Sequence, residues 1–471
     1  METLLKIVST INACLSDYIL IILLVGIGIY FTIRTRFVQI RCFGEGMKNV
    51  FGKMSLKGGK QKGGLSSFQA LATAVAAQVG TGNIVGACGA ILIGGPGAIF
   101  WMWIIAFFGM ATSYAEAVTA QKTRQTDEDG TVSGGPVYYI KHIFTGKGGK
   151  FLAGFFAVAA TLALGFMGSM VQSNSISSNF NSALNIPMWV VGIIVALIAG
   201  IIFIGGIQRI ASVTEKLVPI MALFYLLGGI VVLCVNITNV PEAFGLIFKY
   251  AFVPNAIIGG GIGTAFKMAI GQGVKRGLFS NEAGMGSAPH AHAMANVKKP
   301  HDQGVVAMIG VFIDTFVVLT MTALIVISSL YAGDGVLAGG SAIGVDKTNM
   351  VQLAFSDAFS KIFGPVGADI GNIFVAICLF FFAFSTIISW NFFGKVNFTY
   401  LFGKKSTIIY SIISIAFVFA GSLLSNDLVW ELSDMFNNLM VIPNIIALFA
   451  LTPLILSLTK GTKHFKEEKK E

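Results

Sequence analysis

The sequence predicts an all-α polytopic membrane protein with about eleven transmembrane helices, two of them broken, and three observations lead there. Only 11% of its 471 residues are Asp, Glu, Lys or Arg, against about 25% in an ordinary soluble domain. With 55% hydrophobic residues and a mean hydropathy of +0.79, the chain has too few polar side chains to cover a globule of this length. Its apolar residues are gathered into eleven runs, most of them near the length of about 20 residues that crosses a bilayer core. The same figures exclude disorder, which needs low hydrophobicity and high net charge.

In chain order the spans are expected over residues 17–33, 66–93, 98–120, 151–178, 188–204, 211–235, 255–273, 304–330, 366–393, 406–424 and 428–458. The polar start before residue 17 lacks a basic flank, so no cleavable signal peptide is expected. The second span is rich in Ala, Gly, Thr and Gln rather than Leu, and hydropathy alone would pass over it. Between the eighth and ninth spans lies the longest outer loop, 331–365, with a short helix expected over 351–362; it reads equally as a lid and as a solvated connector.

The net charge of +10 raises nucleic acid as a partner until its distribution is read. With the amino terminus outside, 27 of the 32 Lys and Arg residues fall on the cytoplasmic side, including 8 in the loop 34–62, and 4 fall outside. The excess therefore sets orientation, with the carboxyl end inside, and no nucleic-acid partner is expected. Five scattered cysteines (Cys14, Cys42, Cys88, Cys234, Cys378) show no ligand spacing and read as small packing residues.

Two spans carry glycines near mid-depth. In the second, Gln78-Val79-Gly80-Thr81-Gly82-Asn83 combines two glycines with two amides; in the seventh, Gly271-Gln272-Gly273 repeats the spacing. Glycine costs about 1 kcal/mol in a helix interior, so a pair favours local unwinding. In lipid an unwound backbone must line a cavity or be buried in protein. The two sites lie five spans apart and are approached from opposite sides, as in an inverted five-helix repeat of a secondary transporter. Freed N–H groups there can bind a carboxylate, and freed carbonyls a small cation. The competing reading is close helix packing, for which Gly82 and Gly86 have the spacing. A further glycine cluster, Gly259-Gly260-Gly261-Ile262-Gly263, reads as packing or hinge. Neither a Rossmann nor a Walker loop fits these glycines.

The segments Gly80-Thr81-Gly82-Asn83-Ile84, Gly134-Gly135-Pro136-Val137-Tyr138-Tyr139 and the long run Gly273 to His292 resemble the alanine/glycine:cation symporter family. The resemblance covers nearly the whole chain. It implies a five-plus-five inverted repeat with one extra first helix, hence 1–65 as an amino-terminal helix and basic loop, repeats over 66–235 and 236–458, and a tail over 459–471. It also implies sodium-driven uptake of alanine or glycine across the cell membrane, with no catalytic residues and no cofactor beyond the co-transported sodium ion. Carried onto this chain, Thr81 and Gly82 would meet the substrate carboxylate and Gln172 the amino group. Phe266, Gly271, Gln272, Gly273, Thr386 and Trp390 would wall the pocket. Sodium would sit among Ala76, Val79, Ser385 and Thr386, with Asn83 serving a second ion.

The residues themselves support part of this. Uncharged oxygens suit a hard cation, and Ser385, Thr386 and Ser389 put hydroxyls on an apolar helix, although such hydroxyls also bond back to helix carbonyls. Trp390 beside a small cavity limits side-chain size. Glu116, Lys267 and Asp314 lie within spans, with Arg276 and Glu282 near the inner boundary; they read as gating or structural ion pairs, or as an ion relay. His290, His292 and His301 share one loop without a Cys or carboxylate partner set, so a metal site is not expected there. A proton-coupled transporter using Lys267, Glu116 or Asp314 is the nearest rival. A channel lacks a filter loop, and an intramembrane enzyme lacks a nucleophile–base pair at depth.

Overall fold

A computed structural model describes residues 2–52, 64–126, 128, 130–252, 262–339 and 344–460. Helices stand at every one of the eleven expected positions. Seven of them are long and apolar enough to cross a membrane: Ala98–Thr123, Gly146–Leu184, Gly206–Val235, Pro300–Tyr331, Val366–Phe402, Lys404–Gly421 and Asn426–Ala450. The bent pair Ser67–Gln78 and Gly82–Gly94 makes an eighth span, and Ile21–Arg34 and Met188–Ile204 are shorter apolar helices. Ile262–Asn281 fills the seventh position but carries Lys267, Lys275 and Arg276. Among the described residues the only strands are Gln125–Thr126 and Val132–Ser133, a minimal antiparallel hairpin.

The polarity is inverted relative to a soluble protein. Ile194, Leu197, Ile201 and Ile204 on one helix, and Ile220, Leu223 and Leu227 on the next, stay exposed, as lipid-facing residues should. The centre instead holds Thr73, Asn83, Gln172, Asn174, Asp314, Ser385 and Thr386, all buried. Polar groups at this depth need partners, and their convergence makes this part of the bundle the candidate site.

Several expected boundaries shift. The polar start is helical, running through Glu2–Cys14 and Leu15–Leu20 into Ile21–Arg34, and Asn12 donates to the Glu431 carboxylate. The ninth span continues to Phe402, and at 1.5 Å per residue its 37 residues reach roughly 55 Å, well past a bilayer core. The short helix of the outer loop is Met350–Phe363. It is seated on the ninth span, where a Cβ on Gly371 would come within 2.7 Å of the Phe355 backbone.

The second span starts with a capping box: Ser66 Oγ accepts from Gln69 N, and Gln69 Oε1 accepts from Ser66 N. It ends at Val79, whose ψ of 83° takes the chain off the helical path, and the continuation is bent by 46°. The seventh span is different from expectation. Ile262–Asn281 is continuous through Gly271 and Gly273, and the irregular segment comes later, over residues 282–288, before Pro289 opens the short helix Pro289–Ala293. Glu282, Gly284 and Gly286 all have positive φ there. Gly273 serves packing, since a Cβ would fall 2.6 Å from Trp101 Cβ. Of the further glycine cluster, residues 259–261 lie outside the described residues.

Candidate functional site

The unwound turn of the second span is the centre of the site. Its backbone N–H groups have lost helical acceptors: Gly80 N–H is shared between Asn83 Oδ1 and Gln78 O, each at 3.0 Å, and Thr81 N–H donates to Gln172 Oε1 at 3.1 Å. Only glycine fits at position 80, because a Cβ would lie 2.3 Å from Thr386 Oγ1 and 3.2 Å from Gln172 Oε1. The Thr81 hydroxyl is buried and has no hydrogen-bond partner, an orphan that costs free energy unless a ligand satisfies it.

Beside the turn, Thr386 Oγ1 donates to the carbonyls of Ala76 (2.9 Å) and Ala77 (3.2 Å), and Ser385 Oγ reaches Ala76 O at 3.2 Å. Both hydroxyls also bond back to Phe382 O on their own helix. Ala76, Ser385 and Thr386 thus stand together as three neutral oxygens, a donor set that suits a hard monovalent cation. Val79 lies at the same helix end, where its N–H still donates to Val75 O.

A second polar cluster lies on the other side. Asn83 Nδ2 donates to Asp314 Oδ1 at 2.7 Å, and the Asp314 carboxylate also accepts from Ser280 Oγ (2.9 Å) and Thr315 Oγ1 (2.9 Å). Every one of these groups is neutral apart from the carboxylate.

Trp390 is buried with its ring over Gly168, where a Cβ would come within 2.1 Å. Its indole N–H donates to Glu282 Oε1, and Glu282 also accepts from Ser287 Oγ. Phe279 stands edge-on to Trp390 at 5.8 Å and packs on Trp430 at 4.7 Å. Arg276 lies over the Trp430 ring at 4.7 Å and pairs with Asp434 at 3.2 Å.

Thr81, Gly82, Gln172, Thr386 and Trp390 therefore gather around the first break. Phe266, Gly271 and Gln272 do not join them. They line a separate cavity of about 560 Å³ with Ser9, Asn12 and Lys267, while Gly273 faces Trp101. Phe279 and Ser280 are the seventh-span residues that touch the break: a Cβ on Gly82 would come within 3.2 Å of Phe279 and 3.0 Å of the Ser280 backbone. Gly284-x-Gly286 has the same spacing as Gly80-x-Gly82, and that repeat is the sequence signal for the irregular segment over residues 282–288.

Of the intramembrane charges, Glu116 and Asp314 bond neutral groups, and Lys267 lines the cavity beside Phe266. Glu116 Oε2 accepts from Gly284 N (3.1 Å), and its Oε1 from Gly286 N (3.0 Å) and Asn444 Nδ2 (2.6 Å). It braces the second break. Arg276, expected near the inner boundary, is a helix residue and with Lys275 pairs with Asp434. His290 and His292 are buried, which pushes their pKa values down to about 4 and about 3, and each bonds a different amide, Asn397 and Gln303.

The profile of the sodium:alanine symporter family matches residues 1–471. The chain is 40% identical over 464 residues, 98% of each chain, to the sodium/alanine symporter AgcS of Methanococcus maripaludis. It is 39% identical to the putative sodium/proton-dependent alanine carrier protein YrbD of Bacillus subtilis, over 98% of this chain and 93% of that one. Among solved structures, MhsT in complex with L-phenylalanine superposes with a TM-score of 0.59 at 15% identity, covering 85% of this chain and 99% of that one, which shows a shared fold.

Proposed function

The chain belongs to the sodium:alanine symporter family, and from that premise we propose that it couples sodium entry to uptake of a small neutral amino acid, alanine or glycine, by alternating access. The observation that carries the proposal is the Gly80–Thr81 turn, with an unsatisfied Thr81 hydroxyl and the Gln172 carbonyl side by side. A substrate carboxylate takes the N–H and O–H of Thr81 together with the backbone at Gly82. Gln172 Oε1, released from Thr81, then accepts from the ammonium group. Trp390 and Phe279 close over the side chain and favour a small one. Sodium is held by Ala76 O, Ser385 and Thr386, so ion and substrate share one turn of backbone, and each favours the state that binds the other.

The reciprocal bracing of the two breaks supports reading 66–235 and 236–458 as the halves that move against each other. Asp314, on the eighth span, holds Asn83 of the first break. Glu116, on the third, holds the second break. Third and eighth spans are five apart, like the breaks themselves.

The test is uptake of labelled alanine into proteoliposomes. A sodium gradient should drive it and potassium should not; equal uptake with potassium would overturn sodium coupling. A second reading has one observation behind it, the buried Asp314 carboxylate bonded only to neutral groups, which can take a proton as readily as an ion. In that case a pH gradient alone drives uptake, and Asp314→Asn abolishes it.

A further inference from the structure

The connection after the first span folds into two short helices, Val38–Arg41 and Phe43–Phe51. The second is docked on the eighth span, where a Cβ on Gly46 would fall 2.7 Å from Ile309 Cγ1 and 2.8 Å from Val305 O. Cys42 precedes that helix and Glu45 lies in its first turn, three residues on, so both point the same way. His301, in the first turn of the eighth span, meets them. One ligand atom from each of the three residues lies within 4.8 Å of the other two, and His301 Nε2 is 3.5 Å from Glu45 Oε2.

The proton positions around His301 follow from its neighbours. Thr459 Oγ1 donates to Ile455 O at 2.8 Å, so it accepts from the Tyr114 hydroxyl at 3.2 Å. Tyr114 has then spent its proton, and its oxygen accepts from His301 Nδ1–H at 2.8 Å. This leaves the Nε2 lone pair directed at a carboxylate and a thiol. Thiol sulfur, carboxylate oxygen and imidazole nitrogen gathered in one place are the donor types that a transition cation takes. A ligating histidine whose other ring N–H is held by an oxygen is also the usual outer-shell arrangement of a metal site.

We propose that Cys42, Glu45 and His301 form a binding site for a divalent transition cation of the zinc class, with sulfur, oxygen and nitrogen ligands and water in the fourth position. Tetrahedral zinc takes this donor mixture at about 2.0–2.3 Å. A closure of the ligand atoms by a fraction of their present separation brings them to that distance. Glu45 keeps 31% of its side chain exposed and gives the water its route, while Cys42 and His301 are buried. The site joins the first connection to the eighth span and, through Tyr114 and Thr459, to the third span and the terminal helix Thr452–Lys460. Bound metal therefore fastens four elements at one end of the bundle.

The test uses the full-length protein in detergent with the exposed thiols removed (Cys14→Ala, Cys234→Ala), titrated with Co²⁺ alone and with Zn²⁺ alone. Co²⁺ should give one equivalent of binding with thiolate-to-metal absorption in the near ultraviolet. Zn²⁺ should displace it and raise the melting temperature. Cys42→Ser and His301→Asn should each weaken binding at least tenfold and remove the zinc-dependent rise in melting temperature. Undiminished binding in a folded Cys42→Ser variant overturns the site. Where that variant does not fold, the parent protein decides: cobalt binding without thiolate absorption, or no binding, overturns it equally.

Discussion

The hydroxyl of Thr81 is the most exacting single group in the site, because it is buried without a partner while its own N–H already has one. A hydrogen bond to a charged group contributes roughly 1.5–3 kcal/mol. Thr81→Val should therefore weaken binding of every transported amino acid by about 10- to 100-fold, read as a rise in the substrate concentration that half-saturates uptake, and equally for alanine and glycine. Trp390 should behave differently. Its ring presses on Gly168 and its N–H anchors Glu282, so it sets space rather than carboxylate affinity. Excluding each extra methylene is worth about 1–3 kcal/mol, so Trp390→Ala should let leucine and phenylalanine compete with labelled alanine about tenfold better or more. Unchanged competition would remove Trp390 from the pocket. The sequence singles out Thr81 by the glycine pair around it, and Trp390 only through the resemblance to the family. Phe279 and Ser280 were not singled out. They lie in the motif-bearing run, but nothing in a linear reading says which turn of a helix will face a break some 200 positions upstream.

At the scale of elements, the eleven helical segments were readable because lipid imposes one length and one polarity on each. The position of the second break was not. The sequence places the break at Gly271-x-Gly273 by its depth in the span, and Gly284-x-Gly286, which shares the spacing, is not weighed there. Trp101 packs against Gly273 and keeps that stretch helical, while Glu116 offers two oxygens to the N–H groups of Gly284 and Gly286 and keeps that stretch unwound. Tertiary partners decided between two locally equal candidates. The same geometry separates a brace from a proton relay. A glutamine at position 116 has one acceptor oxygen and an amide that would face a backbone donor. Glu116→Gln should thus lower the melting temperature, by roughly 1–3 kcal/mol of lost hydrogen bonding, and reduce uptake under a sodium gradient and a pH gradient alike. A variant that melts normally and loses only gradient coupling would return Glu116 to the relay.

For the whole molecule, two properties follow from where charge is kept. His290 and His292 are neutral when folded, with pKa values near 4 and 3 against an ordinary 6.5. As pH falls through 6.5 the unfolded chain takes up protons that the folded chain refuses, so stability is lost between about pH 6.5 and 4, by up to tenfold in the equilibrium per unit and per histidine. The melting temperature should fall over that window, and His292→Gln should flatten the fall. The second property is orientation. Lys275 and Arg276 belong to a helix and to Asp434, and Arg209, Lys216 and Lys395 also stand within helices, so none of these five tells the two sides apart. The bias survives the correction because it rests chiefly on the first connection, the 122–150 connection and the tail, and short loops rich in Lys and Arg are retained in the cytoplasm. The loop carrying Val336, which is 62% exposed, should then face outward. In intact cells an impermeant maleimide should label Val336→Cys directly, and a cysteine introduced beyond Lys460 only after the membrane is opened. The reverse pattern would turn the whole bundle over, and with it the direction in which the two breaks are approached.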